Sequence, residues 1–345
     1  MKYKIFDTHA HYNDEAFNED REELLSGLFE RNEPNGPGSC MEQAETMGEN
    51  GQRAKRDERN EMSNPENCRR QEEGAMGENG VCTVVEVSAE FGNIPNVLKL
   101  AARYDSIYAA VGVHPTEVYN LKDSDIKAVE EYALLGVRHP AATLSSGAEG
   151  NVRTLKISSS VSCLSSGAER NVSPVNKVVA IGEIGLDYHY PDTDKEKQKK
   201  WFAMQIDLAK RLSLPIIVHS RDAAKDTLDI IRAEGARDIG GVIHCFSYEP
   251  EMSKLYTDMG FYIGIGGVVT FMKARKLKEI AKQMPMELML LETDCPYLAP
   301  EPFRGRRNNS SLINYVAEEI AALRGMKKEE VVRITAENAR RFYRL

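Results

Sequence analysis

Short runs of apolar residues recur along the chain, separated by longer stretches in which apolar positions return every three or four residues. The runs predict β-strands, and eight of them stand out: Lys4 to Thr8, Cys82 to Val87, Ile107 to Val113, Val178 to Glu183, Pro215 to His219, Gly241 to Cys245, Phe261 to Ile265 and Glu287 to Thr293. Several, such as VVAIG and LMLLE, are apolar almost throughout, which suits strands covered on both faces. The stretches between them predict amphipathic helices. Asp194 is placed to cap one in which Trp201, Met204, Leu208 and Leu212 form a stripe. Another runs from Asp222 to Ala233 and stops at Gly235, and two more, Ser311 to Leu323 and Lys327 to Arg341, close the chain. Strand and helix in alternation imply a parallel sheet with crossover helices, and eight repeats imply a (β/α)8 barrel of the TIM type.

Two segments break this rhythm. Residues 33–78 are rich in Gly, Asn, Glu, Arg and Pro and almost free of aliphatic side chains, so they bury too little to offset the entropy of ordering and read as a flexible insertion. MGENG occurs twice there, at Met47 to Gly51 and Met76 to Gly80. Residues 139–174 form a second insertion, carrying LSSGAEGNV from Leu144 and LSSGAERNV from Leu164. Two copies are too few for a solenoid, and the imperfect duplications read as translated repetitive DNA. Without both segments roughly 260 of the 345 residues remain, near the ~250 typical of such a barrel. Both fall between a helix and the next strand, on the side of a barrel opposite its catalytic mouth.

Composition narrows the function. Lys and Arg number 45 against 53 Asp and Glu, a formal charge of -8, so there is no broad positive field for nucleic acid and any phosphate must be held locally. No apolar run reaches membrane-spanning length and MKYKIFDTHAH lacks the core of a signal peptide, so the expected location is cytoplasmic. The six cysteines show no close CxxC pairing. That argues against a zinc finger or a disulfide framework, and Cys82, Cys245 and Cys295 read as packing residues.

Metal-capable side chains gather at the expected strand ends. His9 and His11 lie just past the first strand, Glu183 ends the fourth, His219 the fifth and His244 the sixth, and Asp294 follows the eighth. In a barrel these positions share one mouth. Residues i and i+2 of an extended segment point the same way, so His9 and His11 can grip one ion together. Six ligands exceed what one cation with an open position needs, so two divalent cations bridged by Glu183 are expected: His9, His11 and Asp294 on one, His219 and His244 on the other. The donors tolerate Mg, Mn or Zn. Such a pair activates water for hydrolysis, with Glu183 and Asp294 as the catalytic acids and Asp294 a candidate proton acceptor. His114 in VGVHP, Arg221, Arg304 and Arg307 are candidate substrate contacts, the arginines as phosphate clamps. Asp187, Tyr188 and His189 are placed to shape the pocket.

At these residues the chain resembles the TatD family of metal-dependent deoxyribonucleases, within the amidohydrolase-like barrels. The resemblance rests on FDTHAHY, AAVGVHP, AIGEIGLDYH, PIIVHSRDA, GGVIHCFS, GFYIGIGG and ETDCPYLAPEPFRGRRN, which cover the chain outside the two insertions. It implies a (β/α)8 fold, a two-cation site at the six positions above, and hydrolysis of phosphodiester bonds, with DNA as substrate and often 3′ to 5′ exonuclease action. The insertions depart from the family pattern. Two other readings compete: an amide or ester hydrolase of the deacylase type using the same metals, and a non-enzymatic scaffold, which leaves the convergent ligands without a purpose.

Overall fold

A computed structural model describes residues 4–30, 80–136 and 177–345. The expected insertions, 33–78 and 139–174, lie outside the described residues. The strands are β1 (Ile5–Ala10), β2 (Val81–Val87), β3 (Ile107–Val111), β4 (Val178–Asp187), β5 (Ile216–Arg221), β6 (Gly241–Ile243), β7 (Tyr262–Ile265) and β8 (Met289–Leu291), and they form one eight-stranded sheet in chain order. Every pairing is parallel. A bridge from Ala10 to Cys295 brings the ends of the sheet together, with Asp294 N–H donating to His9 O at 2.9 Å and His11 N–H to Cys295 O at 2.9 Å. The sheet is thus a nearly closed barrel, as the alternating pattern predicts.

The helices follow the same pattern: α1 (Arg21–Glu30), α2 (Ile94–Arg103), α3 (Ile126–Leu135), α4 (Lys195–Leu212), α5 (Ala224–Ala233), α6 (Pro250–Thr257), α7 (Arg275–Gln283), α8 (Ile313–Arg324) and α9 (Lys328–Tyr343). Asp194 caps α4 by accepting from Lys197 N–H at 3.0 Å. Trp201 and Phe202 on that helix are fully buried, each contributing about 2–3 kcal/mol of apolar burial. Met204 and Leu212 are only half-buried, so the stripe sits one step round from the expected one.

One core cluster draws on all eight strands, through Phe6, Val85, Ala110, Ala180, Ile217, Val242, Tyr262 and Leu290. These side chains alternate along the strands with those of a second cluster that packs against the helices, so they line the barrel interior. Phe342 and Tyr343 of α9 join them, Tyr343 donating from its hydroxyl to Thr8 O at 2.8 Å. The C-terminal helix therefore seats two aromatic rings against the barrel interior. A larger cluster packs the outer strand faces against the helices.

Several expected boundaries are corrected. β3 stops at Val111, β6 at Ile243 and β8 spans only Met289–Leu291, whereas β1 runs through His9 to Ala10, β5 past His219 to Arg221, and β4 past Glu183 to Asp187. The register slips between Ile181 and Ile184, then resumes against β5 from Ile184 to Asp187. That irregularity turns Glu183 into the mouth without ending the strand. Gly185 makes the resumption possible: it has φ +140°, and a Cβ there would lie 2.0 Å from His219 O. Among the described residues no helix is long and apolar enough to cross a membrane.

Candidate metal centre

The site begins with β1. Asp7 is buried and accepts from His9 N–H, Thr293 N–H, the Thr293 hydroxyl at 2.7 Å and the Ser310 hydroxyl at 2.6 Å. It is a fastening point between β1 and the end of β8 rather than a ligand. Burial pushes its carboxyl up to about 6 despite those donors. Asp294 takes a left-handed backbone conformation, φ 57°, which is rare for a residue with a Cβ and is held here by its N–H bond to His9 O.

The six expected ligands come together. His9 Nε2 and His11 Nε2 are 3.0 Å apart. Glu183 Oε2 lies 3.4 Å from His9 Nε2 and 3.7 Å from His11 Nε2, while Asp294 Oδ1 lies 3.7 and 3.4 Å from the same atoms. The other carboxylate oxygen of Glu183, Oε1, faces a second set: His244 Nε2 at 2.5 Å and His219 Nδ1 at 2.9 Å. His9 stacks on His244, with ring centroids 4.0 Å apart and planes within 7°.

This donor set fits cations. His11 Nδ1 is 2.9 Å from Val87 O, an acceptor, so Nδ1 carries a proton and Nε2 is the nitrogen turned to the centre. Nε2 faces the His9 nitrogen and two carboxylates in a buried cleft, an arrangement that repels itself unless positive charge, a proton or a cation, lies between. His219 is set in the same way, Nε2 toward Asp187 Oδ2 at 3.3 Å and Nδ1 toward Glu183. Triplets of donor atoms close enough to share an ion include His9–His11–Glu183 and Glu183–His219–His244.

The charges are polarised accordingly. Burial opposes ionisation of Glu183, but His244, His114 and His9 hold it well below the usual carboxylate range. Asp294 is also lowered against burial, chiefly by His11. Burial works to discharge His11 and His219, yet Asp294 raises the first and Asp187 the second, each to about 9. Burial dominates at His9, lowering it to about 4.

Of the expected substrate contacts, His114 reaches the centre. Its Nε2 is 3.7 Å from Glu183 Oε1 and its ring is 4.3 Å from that of His219. Arg221 ends β5 at the exposed rim, 6.0 Å from the Tyr190 ring. Arg304 lies over the Phe271 ring at 4.4 Å. Arg307 faces elsewhere: its guanidinium grips Asp20 through both carboxylate oxygens and also donates to Ala16 O at 2.8 Å, tying the loop after β8 to the one after β1. Asp222 accepts no helix-capping bond and instead meets His189 Nδ1 at 3.1 Å.

Two buried acids escaped the sequence reading. Glu86 accepts from Tyr12 N–H at 2.9 Å and Asn13 N–H at 2.7 Å, holding the segment after His11. Glu292 accepts from Cys245 N–H at 2.5 Å, has its other oxygen unpartnered, and groups with His9 and His244 beneath the centre. Burial raises Glu86 to about 7 and Glu292 to about 8. Gly264 leaves room for Glu292, since a Cβ there would lie 2.3 Å from Oε2. The signal was present in VVEV and LLET, where an acid stands inside an apolar strand run.

A parallel eight-stranded barrel that pools imidazoles and carboxylates at one mouth is the framework of a metal-dependent hydrolase. The chain belongs to the TatD family: the family model described as TatD related DNase matches residues 57–144 and 168–344. YabD of Bacillus subtilis (strain 168), described as an uncharacterized metal-dependent hydrolase, is 34% identical over 341 residues, covering 99% of each chain. TatD of Mycobacterium tuberculosis, described likewise, is 34% identical over 271 residues, 77% of this chain and 87% of that one. A crystal structure of YJJV, a TatD homologue from Escherichia coli K12, superposes with a TM-score of 0.70 at 23% identity over 100% of both chains. The protein is accordingly a metal-dependent hydrolase, and the scaffold reading is set aside.

Proposed function

We propose that this hydrolase is a deoxyribonuclease of the 3′ to 5′ exonuclease type, working with two divalent cations, Mg, Mn or Zn. The observation that carries the two-cation reading is the division of Glu183, whose two oxygens face two separate sets of nitrogen donors. His9, His11 and Asp294 would hold one ion, His219 and His244 the other, with Glu183 shared. When bound, such ions acidify water and polarise a phosphoryl oxygen.

The chain's own groups supply the rest. Asp294 stays ionised and is the more exposed of the two acids, its side chain 17% accessible against 4% for Glu183, so it takes the proton from the attacking water. His114 Nδ1 accepts from Thr116 N–H at 3.2 Å, which leaves the proton on Nε2. Burial and His219 lower His114 to about 3, so it stays neutral and donates to a substrate oxygen. Arg221 at the exposed end of β5 and Arg304 on the exposed loop after β8 meet substrate phosphates. The family model's own description, TatD related DNase, favours phosphodiester over acyl substrates.

The test is an assay of the metal-loaded protein on single- and double-stranded DNA, RNA and acyl or amide esters, with product ends identified. Release of nucleotides from DNA 3′ ends is expected. Turnover of acyl substrates with intact oligonucleotides overturns the proposal in favour of a deacylase.

A further inference from the structure

Beside Asp294 the mouth opens into a cavity of about 350 Å3, within the range of small-molecule sites. Its walls come from the loops after β6, β7 and β8 and from the start of α7: Phe246, Val268, Leu277 and Leu298 give it an apolar lining, and Asp294 stands at its edge. Whatever fills it adjoins the reacting atoms. The wall is close-fitting where loops meet, since a Cβ on Gly267 would lie 2.1 Å from Leu298 O.

Three cations line the same cavity, Lys273, Arg275 and Lys276. Lys276 is paired with Glu249. Lys273 and Arg275 are exposed, and among the described residues neither has an ion-pair partner. The far side of the mouth has the opposite character. A cavity between the loops after β3 and β4, half a barrel away, is lined by Glu117, Asp192 and Asp194 together with Tyr119 and Tyr190. The acids of that cavity oppose a polyanion except towards Arg221, which lies over Tyr190, whereas Lys273 and Arg275 attract one.

We propose that the cavity beside Asp294 seats the nucleobase next to the scissile phosphate, and that Lys273 and Arg275 hold the following phosphate of the strand. An apolar slot with cations on its rim matches the two parts of a nucleotide, a flat apolar ring and an anion. This rests on the nuclease reading and adds where the strand lies and which parts of it are recognised.

The experiment compares the Mn-loaded full chain on two oligonucleotides, identical except that one lacks the base beside the terminal scissile linkage. Methyl p-nitrophenyl phosphate, a diester without a base, reports phosphodiester chemistry. Wild type is expected to favour the complete oligonucleotide by about ten-fold in kcat/KM, and Val268→Trp to bring that ratio towards one. Lys273→Ala with Arg275→Ala, exposed changes that leave the core intact, is expected to flatten the salt dependence of kcat/KM by about 0.7 in log–log slope for each phosphate no longer held. Equal turnover of both oligonucleotides by wild type, or an unaltered salt slope in the double variant, overturns the inference while leaving the nuclease reading standing. Failure to cleave any of the three diesters removes the nuclease reading and the inference with it.

Discussion

Asp187 holds the outer nitrogen of His219: its Oδ2 is 3.3 Å from Nε2, on the opposite side of the ring from Glu183. Asp187 is itself fixed, its Oδ1 accepting from His189 N–H and its own N–H donating to Gln198 Oε1. A carboxylate behind a ligating imidazole sets the tautomer and strengthens the donor. Asp187→Ala is therefore expected to weaken metal binding by about 10- to 100-fold with the fold retained. Titration against a competing chelator reads this, and wild-type affinity would remove Asp187 from the role.

Glu183 serves both donor sets, so its loss should affect stoichiometry as well as rate. Glu183→Gln replaces one anionic oxygen by an amide that donates, and whichever way the amide turns, one set meets an N–H where it had a ligand. Metal content is expected to fall from two ions per chain to one or none, and turnover by at least about a hundred-fold. Elemental analysis alongside a rate measurement checks both. Two tightly bound ions in this variant would contradict the shared-carboxylate arrangement.

His9 and His11 were legible because two imidazoles two residues apart at the end of an apolar run share a face, and Asp294 because it follows a strand as apolar as LMLLE. Strand number and order followed from alternation alone. What stayed hidden depends on contacts between distant segments. Glu86 and Glu292 look like interruptions of strands until the fold buries them against Tyr12, Asn13 and Cys245 N–H groups. Arg307 looks like a free phosphate clamp until the fold brings Asp20 to it. Cys245, read as packing, proves to line the cavity beside Asp294. The extension of β4 past Glu183 was hidden too, because the register slip is a property of the pair of strands and not of either sequence.

Glu86 gives stability a specific pH dependence. Burial raises its carboxyl from 4.5 to about 7. Between those values the folded chain keeps a proton that the unfolded chain has released. Stability from this group is complete below pH 4.5 and is lost as pH rises through 7, a change on the order of 3 kcal/mol at full ionisation. Glu86→Gln cannot ionise, so the stability difference between wild type and variant should move against wild type from about pH 5 to about pH 8. Denaturant unfolding of the metal-free proteins at both values measures it, and parallel pH profiles would refute it.

The insertions provide the last test, because the described residues beside them mark where they attach. Gly80 precedes β2 and Lys177 precedes β4, both at strand N-termini, with Gly80 O accepting from Ile5 N–H and Lys177 O from Ala109 N–H. Glu183 lies six residues beyond Lys177 along β4, about 20 Å of extended chain. Catalytic side chains of a barrel gather at the other end of the strands, so replacing residues 33–78 and 139–174 by short Gly-Ser linkers should preserve the centre. Metal content equal to wild type and kcat/KM within about two-fold are expected, since all six candidate ligands and the named lining of the cavity come from residues outside both segments. A soluble, folded deletion variant that no longer binds metal would assign the insertions a part in building the site.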